Sequence, residues 1–119
     1  MFDLKIYDSM KNKKVVFCPI EKNNIRVYAC GPTVYDYAHI GNARMAVVFD
    51  TMIRLLRSIY KKVTYVSNIT DIDDKIIERS FIEKRSTAEI TKEFSDIYNE
   101  DMRSLNVMQP DYQPRATDY

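Results

Sequence analysis

The chain has 119 residues, 45% of them hydrophobic, which suits a single domain over 1–119 with one core. Its 18 basic and 17 acidic side chains leave a net charge of +1, so charge alone supplies no argument for a nucleic-acid surface. Two cysteines without disulfide-like spacing, no run near the roughly 18 apolar residues of a membrane span, and no basic start leading into an apolar stretch predict a cytoplasmic protein.

In chain order, Leu4 to Tyr7 and Val15 to Phe17 are short β-prone runs around the polar turn formers Asp8 to Lys14, which predicts a hairpin or two edge strands. Pro19 removes a ladder donor, and Glu21 to Asn24 form a second turn before a strand over Ile25 to Ala29. After a loop, Ala43 to Ile59 reads as helix: Met45, Val48, Phe49, Met52, Ile53, Leu55 and Leu56 make a wide apolar face, with Arg44, Arg54 and Arg57 on the other side. A stripe that broad belongs to a helix pressed on a sheet. Val63 to Val66 is a β-branched run of the kind found in buried parallel strands, so strand, helix and strand make a βαβ unit.

The stretch Asn68-Ile69-Thr70-Asp71-Ile72-Asp73-Asp74-Lys75 falls at the carboxyl end of that strand. Because parallel strands end on one edge, Thr70 and the three aspartates are expected beside the first loop. A helix is predicted from Asp73 to Glu83, and another from the capping-box pattern Ser86-Thr87-Ala88-Glu89, with Ile90, Phe94, Ile97 and Leu105 on its apolar face. The prolines at 110 and 114 stop it, and the tail has no core of its own. The predicted fold class is α/β: a Rossmann-like parallel half preceded by a β-hairpin.

That order places a backbone-rich crevice at the carboxyl end of the first parallel strand, where α/β folds keep ligands. Gly41, at the helix entrance, has no side chain to block a phosphate, and free helix N–H groups would face such an anion. His39 is the only histidine; it could hydrogen-bond phosphate oxygens as negative charge builds, or it could simply cap the turn. Tyr28, Tyr35, Tyr37, Tyr60 and Tyr65 are read as strand and loop packing rather than a base-stacking platform, since no basic groove interleaves them.

The stretch CGPTVYDYAHIGNAR, from Cys30 to Arg44, resembles the signature of the class I aminoacyl-tRNA synthetases in their cysteine-tRNA ligase form. His39-Ile40-Gly41-Asn42 stands where that family has His-Ile-Gly-His or His-Ile-Gly-Asn. NITDIDDK looks like its second signature, and Pro110-Asp111 with Pro114 to Thr117 resembles the sequence leading onward, so the resemblance covers the whole chain.

The resemblance implies activation of cysteine by ATP, carried with its Mg²⁺, and transfer to tRNA(Cys). His39 and Asn42 would be catalytic; His39, Gly41 and Asn42 would hold ATP; Cys30, Gly31 and Thr70 would bind cysteine. Asp71, Asp73 and Asp74 would shape their loop without acid–base work; the alternative is a plain acidic cluster at a helix start. Cys30 would also be one ligand of a zinc ion that takes the substrate thiolate, since Zn²⁺ prefers sulfur to a near-isosteric hydroxyl. A lone buried cysteine is otherwise a structural residue. The family's other ligands have no counterpart here: Cys18 is the only other thiol. The lysine-rich second ATP signature, Lys-Met-Ser-Lys-Ser, is also absent from the sequence, so the chain by itself is expected to be an inactive amino-terminal portion. The rival readings are the related cysteine ligase of mycothiol synthesis, against which Asn42 and Lys75 speak, and a non-catalytic nucleotide-binding or partner-binding fragment.

Overall fold

Two parallel strands and the helix that joins them organise the molecule. Strand β3 (Ile25–Ala29) pairs in parallel with β4 (Val63–Ser67), Ile25 opposite Val63 and Ala29 opposite Ser67, and α1 (Ile40–Ile59) connects them. Ahead of this unit, β1 (Lys5–Asp8) and β2 (Lys13–Val16) form an antiparallel hairpin; after it come α2 (Asp74–Glu83) and α3 (Thr87–Ser104). The computed structural model describes residues 3–119, and this α/β arrangement is the predicted one.

The core lies between the parallel pair and α1, where Ile25, Ala29, Ile53, Leu56 and Tyr65 are buried together. Leu4 and Phe17, at the open end of the hairpin, pack against this cluster, and the Phe17 ring meets Tyr60 edge-on at 6.2 Å. The hairpin tip makes no such contact, which suits a molecule measuring 57 × 30 × 27 Å. Two further clusters extend the core toward α3: Val34, Ile69, Ile90 and Phe94 in one, Ala46, Tyr98 and Met102 in the other. On α3, Ile90, Phe94, Tyr98 and Met102 recur every four residues and so share one inward face.

The structure corrects four expectations. Helix α1 begins at Ile40, three residues before the predicted start, because His39 and Asn42 close its first turn. Its apolar stripe is narrower than expected: Val48 lies 59% exposed, and only Ala46, Ile53 and Leu56 are fully buried. Leu105 follows the last turn of α3 as its cap and is exposed, because the chain leaves the helix there with Asn106 in the left-handed region. Tyr28 and Tyr37 also face solvent over most of their surface, although the Tyr37 ring still meets Phe94 edge-on at 5.4 Å.

The tail does more than expected. Residues 111–116 run parallel to β4 on the side away from β3, joined by single bridges, Val66 to Tyr112 and Ile69 to Arg115. Ser67 N–H donates to Tyr112 O at 3.1 Å, Ile69 N–H to Pro114 O at 2.9 Å, and Ala116 N–H returns to Ile69 O at 2.9 Å. A proline has a carbonyl to offer and no N–H, so this edge forms a broken ladder instead of a regular strand. Asp111 fastens it, accepting from Tyr65 N–H at 2.7 Å and twice from Arg57, at 2.9 and 2.8 Å. Among the described residues no helix is long and apolar enough to cross a membrane.

Candidate functional site

Past the ends of β3 and β4 the two loops remain zipped. Gly31 N–H donates to Asn68 Oδ1 at 2.7 Å, Thr70 N–H to Pro32 O at 2.9 Å and Val34 N–H to Thr70 O at 3.2 Å, around a parallel Thr33–Thr70 bridge. Parallel pairing thus runs on into both motifs, and it brings Cys30, Gly31 and Thr70 to one edge of the sheet. Gly31 is required by space rather than by dihedral angle: a Cβ there would lie 1.6 Å from Asn68 O.

Cys30 is exposed, contrary to the buried thiol considered above, because it leaves β3 at the sheet edge, and its thiol faces only Gly31 O at 3.7 Å. A zinc site needs several donors converging on one point. Among the described residues no group of three histidine, cysteine, aspartate or glutamate side chains is placed to hold a metal ion, and Cys18 is likewise exposed and free. The residues present therefore do not fit zinc by themselves.

At the head of α1, His39 and Asn42 cap each other. His39 Nδ1 accepts from Gly41 N–H at 3.0 Å, and Asn42 Oδ1 accepts from His39 N–H at 3.1 Å. An accepting Nδ1 assigns the ring proton to Nε2, so the imidazole presents a donor away from the helix. Gly41 makes this fold-over possible, since a Cβ there would meet His39 Cε1 at 2.7 Å and Nδ1 at 3.0 Å. The two groups left for a ligand are His39 Nε2–H and the Asn42 amide nitrogen. His39 and Asn42 line a cleft of about 170 Å³ together with Thr33, Tyr37, Phe94 and Tyr98. Burial pushes the Tyr98 phenol up to about 12, so that wall stays uncharged.

The aspartates of the second motif have three different positions. Asp71 is buried, its oxygens taking Thr117 N–H at 3.1 Å and Thr117 Oγ1–H at 2.7 Å, with Arg115 Nη1 at 3.8 Å. Asp73 caps α2, accepting from Lys75 N–H at 2.9 Å, and Asp74 lies exposed in the first turn. Replacing Thr117 by Val should leave one Asp71 oxygen without its hydroxyl partner and destabilise the fold by about 1–3 kcal/mol. Chemical denaturation measures this, and an unchanged midpoint would deny Asp71 its role as the clasp between the second motif and the tail.

Sequence reasoning gave Arg79 no role and used Lys75 only as a mark of the family, yet both touch the first loop from outside. Arg79, on α2, reaches Tyr35 O at 2.9 Å and Asp36 Oδ1 at 2.8 Å, while its guanidinium lies 4.5 Å from the Phe94 ring centroid. Lys75, one turn earlier, sits 5.1 Å over the Tyr35 ring. The available signal was this pair of cations four residues apart immediately after the second motif.

A family model described as tRNA synthetases class I (C) catalytic domain matches residues 16–119. The chain is 53% identical over 116 residues to the cysteine–tRNA ligase of Hydrogenovibrio crunogenus, covering 98% of this chain and 25% of that protein. It is equally similar, 53% over 116 residues, to the cysteine–tRNA ligase of Dechloromonas aromatica, and 51% identical over 121 residues to that of a Ruegeria species. The chain spans about a quarter of the length of these curated relatives. With both signature loops joined at the ends of its parallel strands and the match covering nearly every residue, the chain belongs to the class I tRNA synthetase catalytic-domain family of the cysteine type.

Proposed function

We propose that this chain forms the cysteine-binding and ATP-steadying side of a cysteine–tRNA ligase, which joins cysteine to ATP and passes the cysteinyl group to tRNA(Cys). The observation that carries the reading is the zipper of the two loops, which sets Cys30, Gly31 and Thr70 on one edge with the His39–Asn42 cap at the helix that follows. A cytoplasmic location accords with that role.

In the proposed reaction a carboxylate oxygen of cysteine attacks the α-phosphorus of ATP. The bond from that phosphorus to the pyrophosphate oxygen breaks, and pyrophosphate, with the Mg²⁺ it carries, leaves with the electron pair. Little proton movement is needed, so positioning and charge stabilisation dominate. His39 Nε2–H and the Asn42 amide are the donors suited to phosphate oxygens as charge accumulates, and Gly41 contributes the space that lets the imidazole turn outward. Cys30 is the one residue here suited to a zinc ion; such an ion, when bound, would favour a substrate thiolate over a hydroxyl. No step above depends on it.

Cysteine-dependent ATP–pyrophosphate exchange tests the proposal. Expected are exchange by the full-length enzyme with cysteine but not serine, and neither exchange nor stoichiometric zinc after dialysis in the 119-residue chain. Full-length protein that charges an amino-sugar inositol instead of tRNA would favour the mycothiol-type ligase, and a full-length protein without exchange would leave the non-catalytic reading. Zinc and turnover in the short chain would show its residues to be self-sufficient.

A further inference from the structure

The segment that delivers His39 is poorly fastened by its own backbone. Behind it, Val34 N–H is tied to Thr70; ahead of it, His39 N–H is tied to Asn42. Among the described residues, the only backbone group between these two that bonds to another element is Tyr35 C=O, and its donor is Arg79 Nη1. The other local bond, Tyr37 N–H to Asp36 Oδ1 at 2.8 Å, shapes the turn without attaching it. Asp36 is attached through the same nitrogen of Arg79, at 2.8 Å.

Arg79 is itself held. Its Nε donates to Glu83 Oε1 at 2.6 Å one turn along α2, and its guanidinium lies over Phe94 of α3, whose ring also meets Tyr37 edge-on. A planar group with several fixed donors can satisfy a carbonyl and two carboxylates while stacking on a ring; an ammonium cannot. Helix α2 starts at Asp74, capped by Asp73, in the second motif, so the residue that fixes the first loop is carried by the second.

We propose that Arg79 is a positioning residue: through Tyr35 O and Asp36 it sets where the loop delivers His39, so that the second motif governs the geometry of the first. This rests on the ligase reading above. It also separates two functions of the site, because Cys30, Gly31 and Thr70 are fixed by the loop zipper and not by Arg79.

The test uses the full-length enzyme with Arg79→Lys, Arg79→Gln, His39→Ala and the His39→Ala/Arg79→Gln pair. Both Arg79 variants should lower kcat for pyrophosphate exchange ~10-fold or more, the scale of a displaced catalytic group. KM for cysteine should change by less than about twofold, and Lys should not rescue. In the His39→Ala background, Arg79→Gln should cost nothing further, because the group it positions is gone. Amide exchange over 36–38 should quicken while that of α1 does not. Should the Arg79 variants fold poorly, Asp36→Asn, on the exposed loop, removes the ion pair without altering α2 and should lower kcat in the same direction. Wild-type kcat in the Arg79 variants, or in Asp36→Asn when that variant must stand in for them, would overturn the inference alone, as would losses that multiply with His39→Ala. Unchanged kcat in His39→Ala would instead remove the assigned role of His39, and this inference with it.

Discussion

Replacing His39 by Ala in the full-length enzyme should slow cysteinyl-adenylate formation by ~10²-fold or more, the scale of one lost transition-state donor, while cysteine binding stays nearly intact. The structure complicates the simple experiment, because Ala removes two things together. It takes away the Nε2–H donor, and it takes away the Nδ1 acceptor that caps α1 at Gly41 N–H, worth about 1 kcal/mol of stability. Asn separates the two. Its side-chain oxygen is a good helix cap, so His39→Asn should recover most of the stability lost by Ala, but an amide at that length does not present a donor where Nε2 does. Pyrophosphate exchange at saturating cysteine, beside thermal unfolding, reads both quantities. If Asn restores rate together with stability, His39 is a cap and nothing more.

Gly31→Ala should be among the most damaging single-methyl changes in the chain, at about 3 kcal/mol or more, the upper end of what overpacking does in a close-packed site. The added carbon would sit 1.6 Å from Asn68 O and 2.8 Å from Asn68 C, both backbone atoms that no rotamer change can move aside. The loops would have to part, stretching the 2.7 Å bond from Gly31 N–H to Asn68 Oδ1 and shifting Cys30 away from Thr70. Asn68→Ala should not rescue the variant, because the clash is with the main chain and not with the amide side chain. Denaturant midpoints and KM for cysteine in the full-length enzyme measure the outcome. A Gly31→Ala protein as stable as the parent would mean that the loops are far looser than this geometry.

What could be read in the sequence follows from which forces leave local marks. The strands β3 and β4 were legible because β-branched residues cluster in short runs, and α3 because its capping box is spelled in residues: Ser86 N–H to Glu89 Oε2 at 2.8 Å and Glu89 N–H to Ser86 Oγ at 3.2 Å. The start of α1 was misjudged because its cap is a histidine, outside the usual Ser, Thr, Asp and Asn set. The edge formed by residues 111–116 left no strand pattern, since Pro110 precedes it, Pro114 interrupts it, and it joins β4 and the loop after it through isolated bridges. The role of Arg79 was illegible for another reason: a cation on an amphipathic helix is ordinarily a solvated residue, and its bonds to Tyr35 O and Asp36 exist only because the loop folds back over α2.

The broken ladder along β4 also has a temporal consequence. Asp111 and Thr117 each close contacts across 46 residues, to Tyr65 N–H and to Asp71, and Met108 N–H reaches back 58 residues to Asp50. Closures of that span are entropically costly until many form together, and they slow folding. As the polypeptide emerges from the ribosome, β3, α1 and β4 can associate early, but the Asp71 carboxylate remains hydrated until Thr117 has been synthesised and released. The second loop therefore takes its final shape only after the sheet that supports it.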